Sequence, residues 1–197
     1  MELGIGKAHV SGATPMDPDE IDGLIPQHIT MKRELDEYEQ ANILSAQEWA
    51  DRRIRKDVLN EKFVRDLHRR MFNKTWKWAG QFRKTEKSIG VDPLYISIEL
   101  RKLLDDAQYW QQFGTYPIDE QACRLHHRMV FIHLFANGNG RHARLMTDVF
   151  LSSCGAQPFS WGQINMTNPA QTRKAYISAL QAADGKNYDL LRGFVRS

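Results

Sequence analysis

The chain has little cysteine and no long apolar run. Its 197 residues include two cysteines, Cys123 and Cys154, and neither CxxC nor metal-ligand spacing exists, so a disulfide framework is excluded. The longest apolar stretch, residues 129–136, contains His133 and is far shorter than the roughly 18 residues that a membrane span needs. The start, MELGIGKAHVSG, has no basic region followed by an apolar run. We therefore expect no secretory signal and a cytoplasmic location.

Neither sign of charge dominates. Lysine and arginine number 27 against 24 aspartates and glutamates, a net charge of +3, so bulk charge does not favour a nucleic-acid partner. Apolar residues make up 42%, with five Trp, six Tyr and nine Phe, which is enough for a core and argues against disorder. The length predicts one domain with at most a small extension. We expect no nucleic-acid and no membrane partner, and the oligomeric state is left open.

Glycine and proline divide the chain into a few segments. Residues 1–33 are rich in both and are predicted to be an N-terminal extension, 34–59 an N-terminal helical segment, and 60–197 the main core. Helix formers and apolar residues at helical spacing predict helices at 34–55, 60–72, 97–113, 120–133, 141–153 and 169–183, with a short last helix. The stripe predicted for the first helix is Leu35, Tyr38, Ala41, Leu44 and Trp49.

Between Trp76 and Tyr95 the pattern changes. Gly80, Gly90 and Pro93 separate segments that are too short for helices, which predicts a small β-hairpin or flap. The predicted fold class is therefore mainly α, a helical bundle with a small β-hairpin flap.

The most informative segment is HLFANGNGRHAR, residues 133–144. Gly138 and Gly140 allow backbone conformations closed to other residues, and they lie where a helix begins. Free N–H groups at a helix N-terminus form an anion cradle. Asn139 adds side-chain donors, and Arg141 and Arg144 fall on neighbouring helix positions and can grip further phosphates. The predicted ligand is a polyphosphate.

His133 stands at the end of the preceding helix, beside that cradle. With a reference pKa of about 6.5 it can accept a proton from an attacking hydroxyl at neutral pH. Phe135 is predicted to anchor the loop in the core. A zinc site with His126 and His127 is disfavoured, because adjacent residues diverge by about 100° on a helix and no HExxH spacing exists.

The same string resembles the signature of the Fic family (Fic/Doc, or Fido), HPFxxGNGRxxR, in which an acidic residue usually precedes GNGR. The matches are His133, Phe135, Gly138, Asn139, Gly140, Arg141 and Arg144. Leu134 replaces the proline and Asn137 the acidic residue. WAGQFRKT, residues 78–85, resembles the family's WAGxxR segment, and residues 60 to about 191 resemble the Fic core. HITMKRELDEYEQANI resembles the leader of the Fic subgroup called mobile mystery protein B.

The resemblance implies transfer of AMP from ATP, less often of another nucleotide part, to a target protein presenting Ser, Thr or Tyr. His133 would deprotonate the target hydroxyl. The residues that would hold the nucleotide are Gly138, Asn139, Gly140, Arg141 and Arg144. The family also implies Mg²⁺, for which Asn137 keeps a carbonyl oxygen but lacks the charge of the usual acidic ligand.

The resemblance further implies a target-binding flap and an inhibitory glutamate. A target segment would add as a strand beside Lys84, Thr85, Glu86, Lys87 and Ser88. The plain alternative is that these charged residues, with Arg83, form a solvated rim. Residues 30–34, TMKRE, fit the inhibitory pattern [S/T]xxxE, so Glu34 is the candidate to pair with the second signature arginine, and Glu39 is the second choice. Glu34 is alternatively a helix-start carboxylate favoured by the helix dipole.

Two other functions compete with the enzyme. A non-catalytic or phosphotransferase-type nucleotide-binding regulatory module is motivated by Asn137, whereas the intact His133 favours the enzyme. A DNA-binding helix-turn-helix is disfavoured by the near-neutral charge and the glycine-rich loop.

Overall fold

The computed structural model describes residues 23–26, 32–53, 57–163 and 169–197, and they are mostly helical. The helices are α1 Lys32–Asp51, α2 Glu61–Phe72, α3 Ile96–Phe113, α4 Ile118–Ile132, α5 Asn139–Ser153, α6 Pro169–Asp184 and α7 Asp189–Val195, with a 3-10 turn Pro93–Tyr95 before α3. The mainly α fold class is confirmed. Within the described ranges, no helix is both long enough and apolar enough to cross a membrane.

The centre of the bundle is the pair α4 and α5. Helix α3 packs on α4, α1 packs on α2, and α2 also contacts α5. Met129 and Ile132 of α4 and Met146 and Phe150 of α5 are almost completely buried. Each such side chain contributes about 1.5–3 kcal/mol through burial, so this core fixes the loop that joins the two helices.

Local capping explains where several helices begin and end. Asn60 accepts a hydrogen bond from the Phe63 N–H at 2.8 Å and starts α2, and Gly114 ends α3 with a left-handed φ of 59°. The helix predicted at 97–113 begins at Ile96, directly after the 3-10 turn. Most of the predicted extension 1–33 lies outside the described residues.

The buried face of α1 differs from the predicted stripe. Tyr38 and Leu44 are exposed, whereas Glu39 and Asn42 are buried. The polar residues face inward because they have partners there: Asn42 donates to the Thr75 hydroxyl at 3.1 Å. A buried polar side chain is tolerated when it is hydrogen-bonded, and here that requirement rotates the helix.

The segment between Trp76 and Tyr95 is an irregular loop rather than the predicted hairpin. Phe82 forms a single antiparallel bridge with Phe135, and the Arg83 N–H donates to the Leu134 carbonyl at 3.0 Å. The segment thus pairs with the chain that follows α4 and not with itself. We call residues 84–91 the flap loop.

Candidate active site

His133 terminates α4 and is held in an unusual environment. Its φ of 56° is left-handed and the residue is 5% exposed. Neither ring nitrogen has a hydrogen-bond partner of normal geometry among the described residues, although the Val130 carbonyl acts on the ring. Burial lowers its pKa to about 4, with a further contribution from the nearby Arg83 cation. The imidazole is therefore neutral at pH 7, the state that can accept a proton.

The turn after His133 reverses the chain into α5. Phe135 is fully buried and stacks on His68 with ring centroids 3.6 Å apart, as expected for an anchor. Gly138 precedes α5 with φ 77°, and a Cβ there would lie 2.5 Å from the Phe72 ring. Only glycine fits that position, and it leaves the first N–H groups of α5 at the end of the turn.

The Asn139 side chain differs from its predicted role as a phosphate donor. Its Oδ1 accepts from the Phe135 N–H at 2.8 Å, and its Nδ2 donates to the Phe135 carbonyl at 2.7 Å. Both ends of the amide are therefore used to close the turn. Sequence spacing does not distinguish an amide that faces a ligand from one that faces its own loop.

The two signature arginines have different surroundings. Arg141 lies over the Phe72 ring at 4.9 Å and is 39% exposed. Arg144 lies over the Tyr176 ring at 4.7 Å, with Trp161 at 5.6 Å, and its buried Nε has no hydrogen-bond partner in the part of the chain described. The two aromatic faces orient the Arg144 guanidinium without neutralising its charge.

A carboxylate from α1 reaches this site. Glu39 is 3% exposed; its Oε2 accepts from Arg141 Nη1 at 2.5 Å, and its Oε1 accepts from Trp76 Nε1 at 2.6 Å. Glu34, the first choice, is exposed instead. Five residues rotate a helix by about 140°, so the two glutamates lie on different faces. The contact is also with Arg141, not with Arg144 as predicted.

The remaining buried histidines serve the fold. His68 was missed by sequence reasoning, although a lone histidine in the apolar stripe of α2 is a signal. Its Nδ1 accepts from the Gly80 N–H at 3.0 Å, so Nε2 donates to the Asn137 carbonyl at 3.1 Å. Burial holds its pKa well below the ordinary value, which keeps it neutral.

His126 and His142 are likewise buried and hydrogen-bonded. His142 contacts the Val64 carbonyl at 2.9 Å, and His126 the Tyr176 hydroxyl at 2.8 Å. Burial lowers their pKa values to about 4 and about 3, respectively. Across the described residues, no group of three or more His, Cys, Asp or Glu could hold a metal ion.

The residues predicted for the flap are divided between surface and interior. Lys84, Thr85, Glu86 and Ser88 are exposed and Lys87 is half-buried. Arg83, expected on the solvated rim, is 4% exposed, and its Nε donates to the His133 carbonyl at 2.6 Å. Arg83 lies in the interior rather than on the surface because the carbonyls at the end of α4 need hydrogen-bond donors.

Comparisons with known proteins agree with this geometry. Residues 58–151 match the model of the Fic/DOC family. Protein adenylyltransferase fic-1 of Caenorhabditis elegans is 31% identical over 147 residues, 71% of this chain and 26% of its own length. Protein adenylyltransferase Fic of Aedes aegypti is 28% identical over 145 residues, 71% of this chain and 27% of its own. The chain spans about a quarter of the length of these relatives.

Solved structures share the fold. BepC of Bartonella tribocorum with bound AMPPNP has a TM-score of 0.67 at 16% identity, covering 91% of this chain and 97% of that one. The N-terminal Fic domain of a Bep effector protein of Bartonella quintana with bound ADP has a TM-score of 0.68 at 17% identity, covering 90% and 94%. The helical bundle with its central loop is thus a Fic fold.

Proposed function

The chain carries a Fic/DOC family domain at residues 58–151, and from it we propose a protein adenylyltransferase that moves AMP from ATP to a hydroxyl of a target protein. The observation that carries the proposal is the neutral, buried His133 imidazole, whose nitrogens have no partner among the described residues, beside the glycine turn that opens α5. Buried polar atoms without partners are uncommon, and an active site is one explanation for them.

The proposed reaction gives each of these groups a role. The target hydroxyl oxygen bonds to the α-phosphorus while His133 takes its proton. The bond from the α-phosphorus to the oxygen bridging the α- and β-phosphates breaks, and pyrophosphate leaves. The N–H groups at the start of α5 and the guanidinium groups of Arg141 and Arg144 stabilise the charge that develops on the phosphates. Such fixed donors are usually the largest catalytic contribution.

Two further observations support nucleotide binding by this chain. The unpartnered Nε of Arg144, considered within the described residues, is suited to a phosphate oxygen. Two proteins of the same fold have been solved with ADP and with AMPPNP. We propose that Asn139 and Gly140 contribute backbone N–H groups. Gly138, whose own N–H donates to Asn137 Oδ1, gives the turn its left-handed conformation, and the Asn139 side chain maintains the turn.

Mg²⁺ belongs to the proposal only as a weakly held ion. Asn137 offers one neutral oxygen, and that Oδ1 already accepts from the Gly138 N–H at 2.6 Å. Mg²⁺ prefers several oxygen ligands and readily keeps waters, so phosphate oxygens and water would provide most of its coordination. Bound there, the ion would neutralise phosphate charge.

The exposed flap loop supports the target side of the proposal. An extended segment of a target presenting Ser, Thr or Tyr would add beside residues 84–88 and be held by main-chain hydrogen bonds. This mode needs an accessible backbone edge, and most of these residues are exposed. The flap-loop base is joined to the end of α4, which brings a seated hydroxyl towards His133.

We further propose that the enzyme inhibits itself through Glu39. A carboxylate on Arg141 competes with a phosphate for the same guanidinium, and Glu39 is fixed there by Trp76. The N-terminal segment that contains Glu39 is also the one that resembles the mobile mystery protein B leader, and assignment to that subgroup stays a proposal.

Labelled ATP tests the function. We expect label from the α-phosphate, but not from the γ-phosphate, on proteins of a cell lysate or on the chain itself, and none with His133→Ala. His127→Ala is a matched control, since His127 pairs with Asp184 on another face. Label from the γ-phosphate alone would favour the phosphotransferase alternative that Asn137 motivates. Nucleotide binding without any transfer would favour the regulatory module.

A further inference from the structure

Arg83 is a buried cation that contacts four backbone carbonyls. Burying a guanidinium is expensive unless its donors are satisfied. Its Nε donates to the His133 carbonyl at 2.6 Å, and its Nη2 contacts the Ile132 carbonyl at 3.4 Å. Its Nη1 donates to the Thr85 carbonyl at 2.9 Å, and Nη2 also donates to the Val91 carbonyl. The planar guanidinium therefore joins two separate segments of the backbone, the end of α4 and the flap loop.

On one side, Arg83 completes the end of α4. The last carbonyls of a helix have no partners within the helix, and cations are favoured there by the helix dipole. His133 ends the helix with a left-handed φ, which is uncommon for a residue other than glycine. The Arg83 fork binds the two carbonyls that flank this conformation, and so it fixes where the His133 side chain points.

On the other side, Arg83 holds both ends of the flap loop. Thr85 lies near its start and Val91 at its end, where the Val91 N–H donates to the Ile132 carbonyl at 3.4 Å. Gly90 has a φ of 112°, and a Cβ there would lie 2.6 Å from Arg83 Nη2 and 2.7 Å from the His133 Cβ. The flap loop is thus packed directly on the arginine and on the histidine.

We propose that Arg83 is a positioning residue that fixes His133 and the flap loop as one unit. A target segment seated on the flap would then present its hydroxyl to a base whose direction is set by the same guanidinium. The catalytic part of this inference rests on the proposed function, whereas the geometric part does not.

Arg83→Lys is the sharpest test, because lysine keeps the charge but cannot form the planar fork. We expect a kcat for target labelling at least tenfold lower, with KM for ATP within twofold, since the nucleotide cradle is built on α5. We also expect amide hydrogen exchange at residues 84–91 to accelerate at least tenfold, with no change in α5. A uniform loss of folded protein would not lower kcat while leaving KM for ATP unchanged, and it would not accelerate exchange in the flap loop alone.

The His133 titration gives a readout that needs no turnover. The groups that act on this imidazole are the Arg83 and Lys87 cations and the Val130 carbonyl, in addition to burial. In Arg83→Gln, NMR of the imidazole should report a His133 pKa above the parent's, while burial and Lys87 continue to hold it below the ordinary value. The acid limb of the pH–rate profile should move upwards with it, because only the neutral ring accepts a proton.

A matched control is Arg65→Lys. The Arg65 Nε donates to the Gly80 carbonyl at 3.0 Å and its guanidinium lies over Phe82, so it joins the same segment to α2. We expect parental kinetics and flap exchange from this variant. Gly90→Ala is a second route if the Arg83 variants fail to fold, and it should reproduce their loss of kcat by forcing the flap loop off His133.

These experiments distinguish failure of the positioning role of Arg83 from failure of the proposed adenylyltransferase function. Parental kcat, flap exchange and His133 pKa in the Arg83 variants would overturn the positioning role. If the parent transfers no label to any protein, the proposed function fails, and the exchange and titration results still decide whether Arg83 fixes His133 and the flap loop.

Discussion

Release of Arg141 from Glu39 should strengthen nucleotide binding. The informative pair of variants is Glu39→Gln and Glu39→Ala. Both remove the carboxylate from Arg141, but glutamine keeps an acceptor for the Trp76 Nε1–H and alanine does not. Comparison of the two therefore separates the effect on the arginine from the effect on the fold.

The size of the gain follows from the contact. A hydrogen bond to a charged group contributes about 1.5–3 kcal/mol, and a phosphate must displace the one between Glu39 and Arg141. Since about 1.4 kcal/mol is a tenfold change, we expect Kd for ATP to fall about 10- to 100-fold. Arg141 is 39% exposed and can be rehydrated, so its release adds little cost.

The fold should respond differently to the two variants. Trp76 is buried, and Glu39→Ala leaves its indole N–H without an acceptor, which costs about 1–3 kcal/mol. Glu39→Gln should lose less stability in urea denaturation while keeping most of the gain in affinity.

Titration calorimetry with AMPPNP and labelling with α-labelled ATP would measure the effect. Glu34→Gln, an exposed residue on the same helix, is the matched control and should leave both measurements unchanged. Adding Arg141→Ala to Glu39→Gln should cancel the gain. An unchanged Kd in Glu39→Gln, or a gain that survives the loss of Arg141, would refute the argument.

The other predictions concern the proposed base, the glycine turn, Mg²⁺ and the stability of the protein at acid pH. His133→Ala should lower transfer by about 10²- to 10⁴-fold in the labelling assay and leave Kd for AMPPNP within about threefold. Gly138→Ala should lower the free energy of unfolding in urea by at least about 2 kcal/mol, from the left-handed φ and the overlap with Phe72, whereas Gly140→Ala, with open space, should not. Asn137→Asp should raise labelling at limiting Mg²⁺, since aspartate keeps the acceptor for the Gly138 N–H and adds charge. His68, His126, His133 and His142 are buried with lowered pKa values, so at acid pH the unfolded chain binds more protons than the folded chain; urea midpoints should therefore fall as the pH drops from about 6.5 towards 4.

The local features of the chain were readable from its sequence. Glycine and proline positions and helical spacing predicted the helices to within a few residues, and the string from His133 to Arg144 predicted a turn between two helices. These features depend on residues that are neighbours in the chain. Their conformations are therefore set by local rules.

Long-range contacts account for what the sequence did not reveal. The motif TxxxE pointed to Glu34, but the buried face of α1 is set by partners on another segment, which select Glu39 and Asn42. Arg83 looked like a surface charge because its partner, His133, is fifty residues away. A polar residue that the sequence places on the surface is buried instead when it supplies the hydrogen-bond partner of a helix end or of an indole N–H. These partners are distant in the sequence, so only the three-dimensional structure reveals them.

Half of the buried polar side-chain atoms that have no hydrogen-bond partner among the described residues lie in the candidate active site. Six buried side-chain nitrogen or oxygen atoms among the described residues have no hydrogen-bond partner, and three of them belong to His133 and Arg144. The left-handed His133 and Gly138 flank the same turn. The unpaired buried atoms and the left-handed His133 destabilise the folded chain, and they are retained because α4 and α5 pack tightly around them. A turn selected for stability alone would avoid this combination, whereas a base and a phosphate ligand must keep their nitrogens free until substrate arrives.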